Sequence, residues 1–429
     1  MTDATATTRT PASMGVRDVL RIPSYRNLFA GQAISDIGDG ITLLLLLLVI
    51  NELTGSMAAL ALMAIAEAVP HFTVGLVAGV YVDRWNRRTV MLAADLLRAG
   101  IVLLFAFAAA AGIVPLLYVL AFAQSSVSTF FRPARGALLP RIVPAAGLPA
   151  ANSLAQVSQV IGSVIGAGIA GLLFGTFGSG VVGFAIDAAT FLVSFAFVSR
   201  IAAEAGRIVG GVEHGGSHRN VLPSLREGLA IVRGSRALSG SLIAAAVSML
   251  GLGAVNVLFV PLVVNDLRVD PTWMAGIELA QTAGMILAAG AVAFIARRLA
   301  PTTIISLGLA GIGLCIGLMA GVSAVWQVII LLFVVGWMVT PLQAMLQTIV
   351  QTTAGDATRG RVVSLLQASL STASVASMAI GGILGDLIGI RSVYLAASAI
   401  VLLAAVISWI LFRGVTGRPA PIAAATEAA

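Results

Sequence analysis

The sequence predicts an all-α membrane protein, with twelve transmembrane helices in two six-helix bundles related by pseudo-two-fold symmetry. Three observations carry that reading. The chain is too apolar and too long for one soluble core. Its arginines fall almost wholly on one side of a twelve-span layout. Its second half repeats part of its first.

Hydrophobic residues make up 59% of the 429 residues and charged residues 10%, and mean hydropathy is +1.03. A soluble domain carries about 25% charged residues, and soluble cores stop growing well below this length. A membrane span needs about 20 mostly apolar residues. Stretches of that kind occur at 26–50, 57–82, 89–110, 114–133, 150–175, 181–200, 238–264, 273–296, 302–321, 325–347, 362–387 and 392–412. Loops as short as Asn51–Ser56 and the turn at Gly112 make sequence neighbours antiparallel. The domains follow: a tail at 1–24, a first bundle at 25–201, a linker at 202–237, a second bundle at 238–413 and a tail at 414–429. Met1–Ala12 is rich in Thr and Ala and has no apolar core of a signal peptide.

All 25 basic residues are arginine. With both termini placed in the cytoplasm, 22 of them fall in cytoplasmic segments, Arg98 lies inside a span, and Arg268 and Arg391 fall outside. That asymmetry is the positive-inside signature, and one missed span would scramble it. It orients a multi-pass protein of the plasma (inner) membrane with cytoplasmic termini. A shift of 211 residues lays Ser153–Gly178 on Ser364–Gly389 with 10 identities in 26 positions, Gly171/Gly382 and Gln156/Gln367 among them. Parallel six-helix halves account for the repeat.

Several functions are excluded at this stage. Without lysine there is no P-loop and no Schiff-base site, so energy from ATP is not expected. The net charge of +7 and pI of about 10.8 are distributed over loops and form no nucleic-acid patch. Cys315 stands alone, and His214 and His218 sit in a glycine-rich linker without further ligands. No metal, no cofactor and no catalytic constellation is expected, and the chain reads as no enzyme. Gly166-Ala167-Gly168-Ile169-Ala170-Gly171 matches a dinucleotide pattern, but no strand precedes it. Small residues four apart, such as Gly162 and Gly166, suit close helix packing.

The most informative segment is Gly79-Val80-Tyr81-Val82-Asp83-Arg84-Trp85-Asn86-Arg87-Arg88, between the second and third spans. Its spacing resembles the signature loop of the major facilitator superfamily, a superfamily of secondary transporters. Further segments are similar to its drug-and-siderophore exporters, the group with macrolide efflux and enterobactin export proteins. These are Tyr25-Arg26-Asn27-Leu28-Phe29, Ser35-Asp36-Ile37-Gly38-Asp39-Gly40, Asp95-Leu96-Leu97-Arg98, Phe131-Arg132-Pro133-Ala134, Ala151-Asn152-Ser153-Leu154 and Ile186-Asp187-Ala188-Ala189-Thr190-Phe191. The exporters' Gly-Pro of span 5 is missing, because Ala167 stands in the proline's place. The resemblance implies a cytoplasmic gate that includes Gly79, Asp83, Arg84, Arg87, Arg88, Arg132 and Asp187. In it Asp83 holds the inner side closed against the start of span 11, where free N–H groups favour an anion.

Charges inside a membrane mark functional sites. At 1.5 Å per residue, Asp36 and Asp39 lie roughly 15–20 Å into span 1 and Glu67 about 15 Å into span 2. Carboxylates at that depth suit proton exchange, and Asp39 ranks first. Asn256, Glu278, Gln281, Gln343 and Gln347 are polar cavity candidates in the second half, and His71 is a possible relay. Asp95 and Arg98, three apart on one helix, are expected to form an intrahelical ion pair. The leading functional reading is a monomeric, proton-coupled exporter of bulky amphipathic small molecules. A dedicated siderophore or metabolite exporter, a nutrient importer and a non-transporting scaffold or sensor stay open beside it.

Overall fold

A computed structural model of the chain describes residues 14–206, 221–354 and 356–413. Among them are α1 (Val16–Leu20), α2 (Pro23–Thr54), α3 (Met57–Thr73), α4 (Gly75–Arg84), α5 (Arg87–Ala110), α6 (Val114–Ile142), α7 (Leu148–Phe177) and α8 (Val181–Ser199). They continue with α9 (Val221–Arg233), α10 (Arg236–Pro261), α11 (Met274–Arg298), α12 (Pro301–Met319), α13 (Val325–Thr353), α14 (Asp356–Ile388) and α15 (Ile390–Leu411). Eleven of the described helices are long and apolar enough to cross a membrane.

The remaining span is α3 with α4. Pro70 lies inside α3 and has no N–H to donate, yet Val74 between the two pieces keeps helical angles of −74° and −36°. The two pieces therefore form one continuous rod with a weak point, which accounts for the expected twelfth span.

Helix ends follow local chemistry. Asn86 caps α5 by accepting from the N–H groups of Arg88 and Thr89, and the Ser235 hydroxyl accepts from Leu238 at the start of α10. Prolines stand in the first turns of α6, α7 and α12, where a missing N–H costs nothing. Pro261 ends α10 in a wider π-type turn over Leu262–Asp266.

Two compact units emerge. The first comprises Met1–Leu46 and Val69–Gly211, and the second Leu47–Ala68 and Val212–Ala429. The sequence halves at 25–201 and 238–413 do not capture one feature: residues 47–68 pack with the second unit. The 202–237 linker also departs from a plain flexible tether. Its described part contains α9, whose Glu227 carboxylate pairs with Arg361 of α14 at 2.5 Å. His214 and His218 lie outside the described residues.

Each unit has its own core. Tyr25, Leu28, Met91, Phe131 and Leu138 are buried together in the first, and Leu238, Ile304, Ile305, Leu309 and Phe412 in the second. Many large apolar side chains face outward instead, among them Leu96, Phe107, Val119, Leu172, Phe294 and Leu387. In water such a surface would aggregate; against lipid it is the ordinary outer face of a multi-pass membrane protein.

Candidate functional site

The polar interior of the first unit is built on one face of α2. Gln32, Asp36, Asp39 and Thr42 recur three and four residues apart, so they form a stripe along the helix. Neighbouring helices meet that stripe closely. At Gly166 of α7 a Cβ would collide with the backbone of Ile37, Gly40 and Ile41. A Cβ on Gly38 would overlap the Asp187 carboxylate and the Thr190 hydroxyl of α8. Glycine at both positions is what lets the helices approach.

Each polar residue of the stripe has its own partner. Gln32 Oε1 accepts from Arg135 Nη1 of α6 at 3.1 Å. Asp36 Oδ2 accepts from the Ser158 hydroxyl of α7 at 2.8 Å. Asp39 is ion-paired with Arg98 of α5. Thr42 donates to Asp187 Oδ2 of α8 at 2.5 Å, and the Thr190 hydroxyl reaches Asp187 Oδ1 at 3.0 Å. The Arg98 side chain is only 7% exposed, whereas that of Asp39 is 46% exposed. The Arg98 guanidinium also lies 4.0 Å from the centre of the Phe191 ring, a cation–π contact strengthened by the low dielectric.

One expectation is corrected by this geometry. Arg98 does not pair with Asp95 on its own helix; it reaches across to Asp39. Asp95 is fully buried, and its Oδ2 accepts from Ser194 of α8 at 2.8 Å. The three-residue spacing permits the local pair, but the packing of α2 against α5 and α8 offers the guanidinium a partner from another helix. Asp187 is fully buried about a third of the way along α8. Arg132 is exposed on α6. Asp187 belongs to the interior cluster, within electrostatic reach of Asp39 and Arg98.

The arginine loop is anchored through its own chain. Arg88 Nη2 donates to the backbone carbonyl of Ser199 at 2.6 Å. Gly206 packs against Asn86 and Arg88 so tightly that a Cβ would clash. Arg84 is exposed and Arg87 half-buried. Gly79 and Asp83 fall within α4, and the Asp83 side chain lies outside the described residues. His71 Nδ1 lies 3.1 Å from the Ser125 hydroxyl of α6.

In the second unit Glu67, Glu278 and Gln281 are half-buried, and Asn256, Gln343 and Gln347 are exposed. The backbone carbonyl of Gln281 meets Gly336 of α13 closely enough to exclude a Cβ. Half-exposed amides and carboxylates on apolar helices are costly in lipid and suit a water-accessible path.

The same unit contains contacts that the sequence did not announce. The Asp386 carboxylate of α14 accepts from the Ser56 hydroxyl at 2.7 Å and from the N–H groups of Met57 at 2.8 Å and Ala58 at 3.1 Å. The Asn51 and Asn265 amides exchange two hydrogen bonds of 2.8 Å. Arg391 binds Asp266 at 2.8 Å and the carbonyls of Ala320 and Val322. The only sequence signal for these was polar residues at the apolar stretches' ends.

Comparison with known proteins adds an independent line. The profile of a family described as transmembrane secretion effectors, within the major facilitator group, matches residues 18–417. The multidrug efflux pump Tap of Mycolicibacterium fortuitum is 28% identical over 388 residues, covering 88% of this chain and 92% of its own. Macrolide efflux protein A of Streptococcus pyogenes is 25% identical over 390 residues, covering 89% of this chain and 94% of its own. In fold, the chain is similar to the crystal structure of a bacterial homologue of the human lysosomal transporter Spinster. The TM-score is 0.70 with 13% identity, over 91% of this chain and 96% of that one.

Proposed function

The chain belongs to the transmembrane secretion effector family of major facilitator transporters, and from that premise we propose that it is a proton-coupled exporter of bulky amphipathic compounds working by alternating access. The observation that carries the proton reading is the carboxylate cluster of the first unit, where Asp36, Asp39, Asp95 and Asp187 surround the buried Arg98. Carboxylates inside a span are expensive to keep and mark ion pathways. The names of the efflux relatives support the export direction and the substrate class.

In this reading the half-exposed Glu67, Glu278 and Gln281 and the exposed Asn256, Gln343 and Gln347 face the substrate path. The protein acts as a monomer in the plasma membrane, takes its energy from the proton gradient and not from ATP, and keeps both termini in the cytoplasm. Gly79, Asp83, Arg84, Arg87, Arg88 and Arg132 form the cytoplasmic gate that the family resemblance implies.

The test is transport of ethidium in proteoliposomes, with and without an imposed pH gradient. The parent protein is expected to accumulate the dye only when the gradient is present. Accumulation that ignores the gradient removes proton coupling. Failure to move any member of a panel of amphipathic dyes and macrolides removes the substrate class.

A further inference from the structure

We propose that Ser377 is a pivot on which α10 bends, and that α2, the matching helix of the first half, has no such pivot. Its part in transport rests on the alternating-access reading; the pivot itself rests on geometry inside each unit. Ser377 of α14 is buried, and its hydroxyl touches two backbone groups of α10. It donates to the Leu250 carbonyl at 2.6 Å and accepts from the Ala254 N–H at 2.9 Å. Those groups are four residues apart, so they are the two partners of one rung of the helical ladder. A side chain that reaches into the ladder is a cause of helix bending.

The hydroxyl also removes the cost of bending there. When a rung opens inside a membrane protein, its N–H and C=O lose their partners where no water replaces them. One hydroxyl has a donor for the carbonyl and an acceptor for the N–H. The rung can therefore part without leaving either group bare. Two of the three residues that it encloses, Gly251 and Gly253, are glycine, the residue that holds a helix least firmly. Both stand where a side chain has no room. A Cβ on Gly253 would collide with the Ser374 carbonyl and the Ser377 side chain, and one on Gly251 with the Ala397 carbonyl and Val401.

The sequence repeat supplies an internal comparison. The 211-residue shift lays Ser377 on Gly166. Gly166 of α7 meets α2 at the Ile37 carbonyl and the Ile41 N–H, again the two partners of one rung. Gly38 and Gly40 lie between those partners as Gly251 and Gly253 do in α10. The two junctions match in layout, but Gly166 brings no hydroxyl, and a Cβ there would strike the α2 backbone. An opened rung in α2 would gain nothing from α7. Bending thus falls to α10, while α2 stays closed at the matching turn.

The test is hydrogen–deuterium exchange of the full chain in lipid nanodiscs, without substrate, read at the amides of Gly251–Gly253. A bend at this turn loosens the flanking rungs and lets those amides exchange. Ser377→Ala removes the pivot, so their exchange is expected to slow about fivefold, the worth of one hydrogen bond. A hydroxyl that only ties α14 to α10 has the opposite effect, because its loss loosens the turn. Unchanged or faster exchange in Ser377→Ala therefore overturns the pivot. Ser306→Ala, which removes a buried contact of 2.9 Å to Ser408, is the control and is expected to leave the three amides as in the parent; equal slowing in both variants also overturns the pivot. If Ser377→Ala does not assemble, Ser377→Gly copies the junction at Gly166 and carries the same expectation and the same refutation. Downhill ethidium flux, without a pH gradient, is read separately. Slowed exchange with parental flux keeps the pivot and removes the bending of α10 from the transport cycle. Absence of flux in the parent retires the exporter reading and leaves the exchange result standing.

Discussion

Arg98 is the residue on which the charge balance of the first unit depends. Removing one partner of a buried pair costs about 3–5 kcal/mol, and the half-exposed Asp39 brings the figure nearer about 2 kcal/mol. Arg98→Ala is therefore expected to lower the detergent melting temperature by several degrees and to abolish gradient-driven transport. Arg98→Lys keeps the charge but loses the flat contact with Phe191, so its melting temperature should fall between the two. A melt of Arg98→Ala equal to that of the parent would contradict the pairing. Gly38→Ala drives a methyl group into Asp187 and Thr190, and overpacking of this kind costs about 1–3 kcal/mol; reduced folded yield on size-exclusion chromatography is the expected outcome. At this scale the sequence was half legible. Asp36 and Asp39 stand out as acids in an apolar run. Their partners do not, because the i, i+3 rule favours Asp95 for Arg98 while tertiary packing supplies Asp39. Nothing in the linear order tells which rule prevails.

At the scale of the helix, the most consequential contact is a cap supplied from elsewhere in the chain. The first N–H groups of α3 are satisfied by Asp386 of α14, 329 residues away in sequence. Losing an N-cap acceptor costs about 1 kcal/mol. Asp386→Ala is expected to speed deuterium exchange at the amides of Met57 and Ala58 while leaving those of α12 unchanged. Equal exchange rates at all of these sites would remove the cap from the account. Helix existence was readable from apolar length alone, and most boundaries were readable from Pro, Gly, Asn and Ser. The helix inside the linker was not recognised, because 221–233 is short and mixes Arg and Glu with its apolar residues. Its partner Arg361 lies more than a hundred positions downstream.

For the whole molecule, the arginine asymmetry leads to a topology that labelling can test. Thr272 is exposed beyond α10, and Glu204 is exposed after α8. Cys315 is buried, so the native background is low. An impermeant maleimide is expected to label Thr272→Cys in intact cells and to spare Glu204→Cys; the reverse pattern would invert the protein in the membrane. Span number and family resemblance were legible at this scale, because lipid imposes length and charge rules on every segment alike. The division into units was less so. The repeat divides the chain by similarity of sequence, whereas compactness depends on which side chains meet, and residues 47–68 belong to the second unit.

That division has a mechanical consequence. The chain passes from one unit to the other inside helices, at Leu46–Leu47 in α2 and at Ala68–Val69 in α3. Two helices thus each contribute residues to both units. The two differ in compliance. The crossing in α2 lies in the unbroken run Leu43–Leu48, while the crossing in α3 lies two residues before Pro70, where a backbone hydrogen bond is already missing. Of the two helices, α3 is the one whose backbone bends more readily close to its crossing. Pro70→Ala, by restoring the bond, is expected to stiffen that helix and slow ethidium turnover severalfold while its binding to the detergent-purified protein stays unchanged.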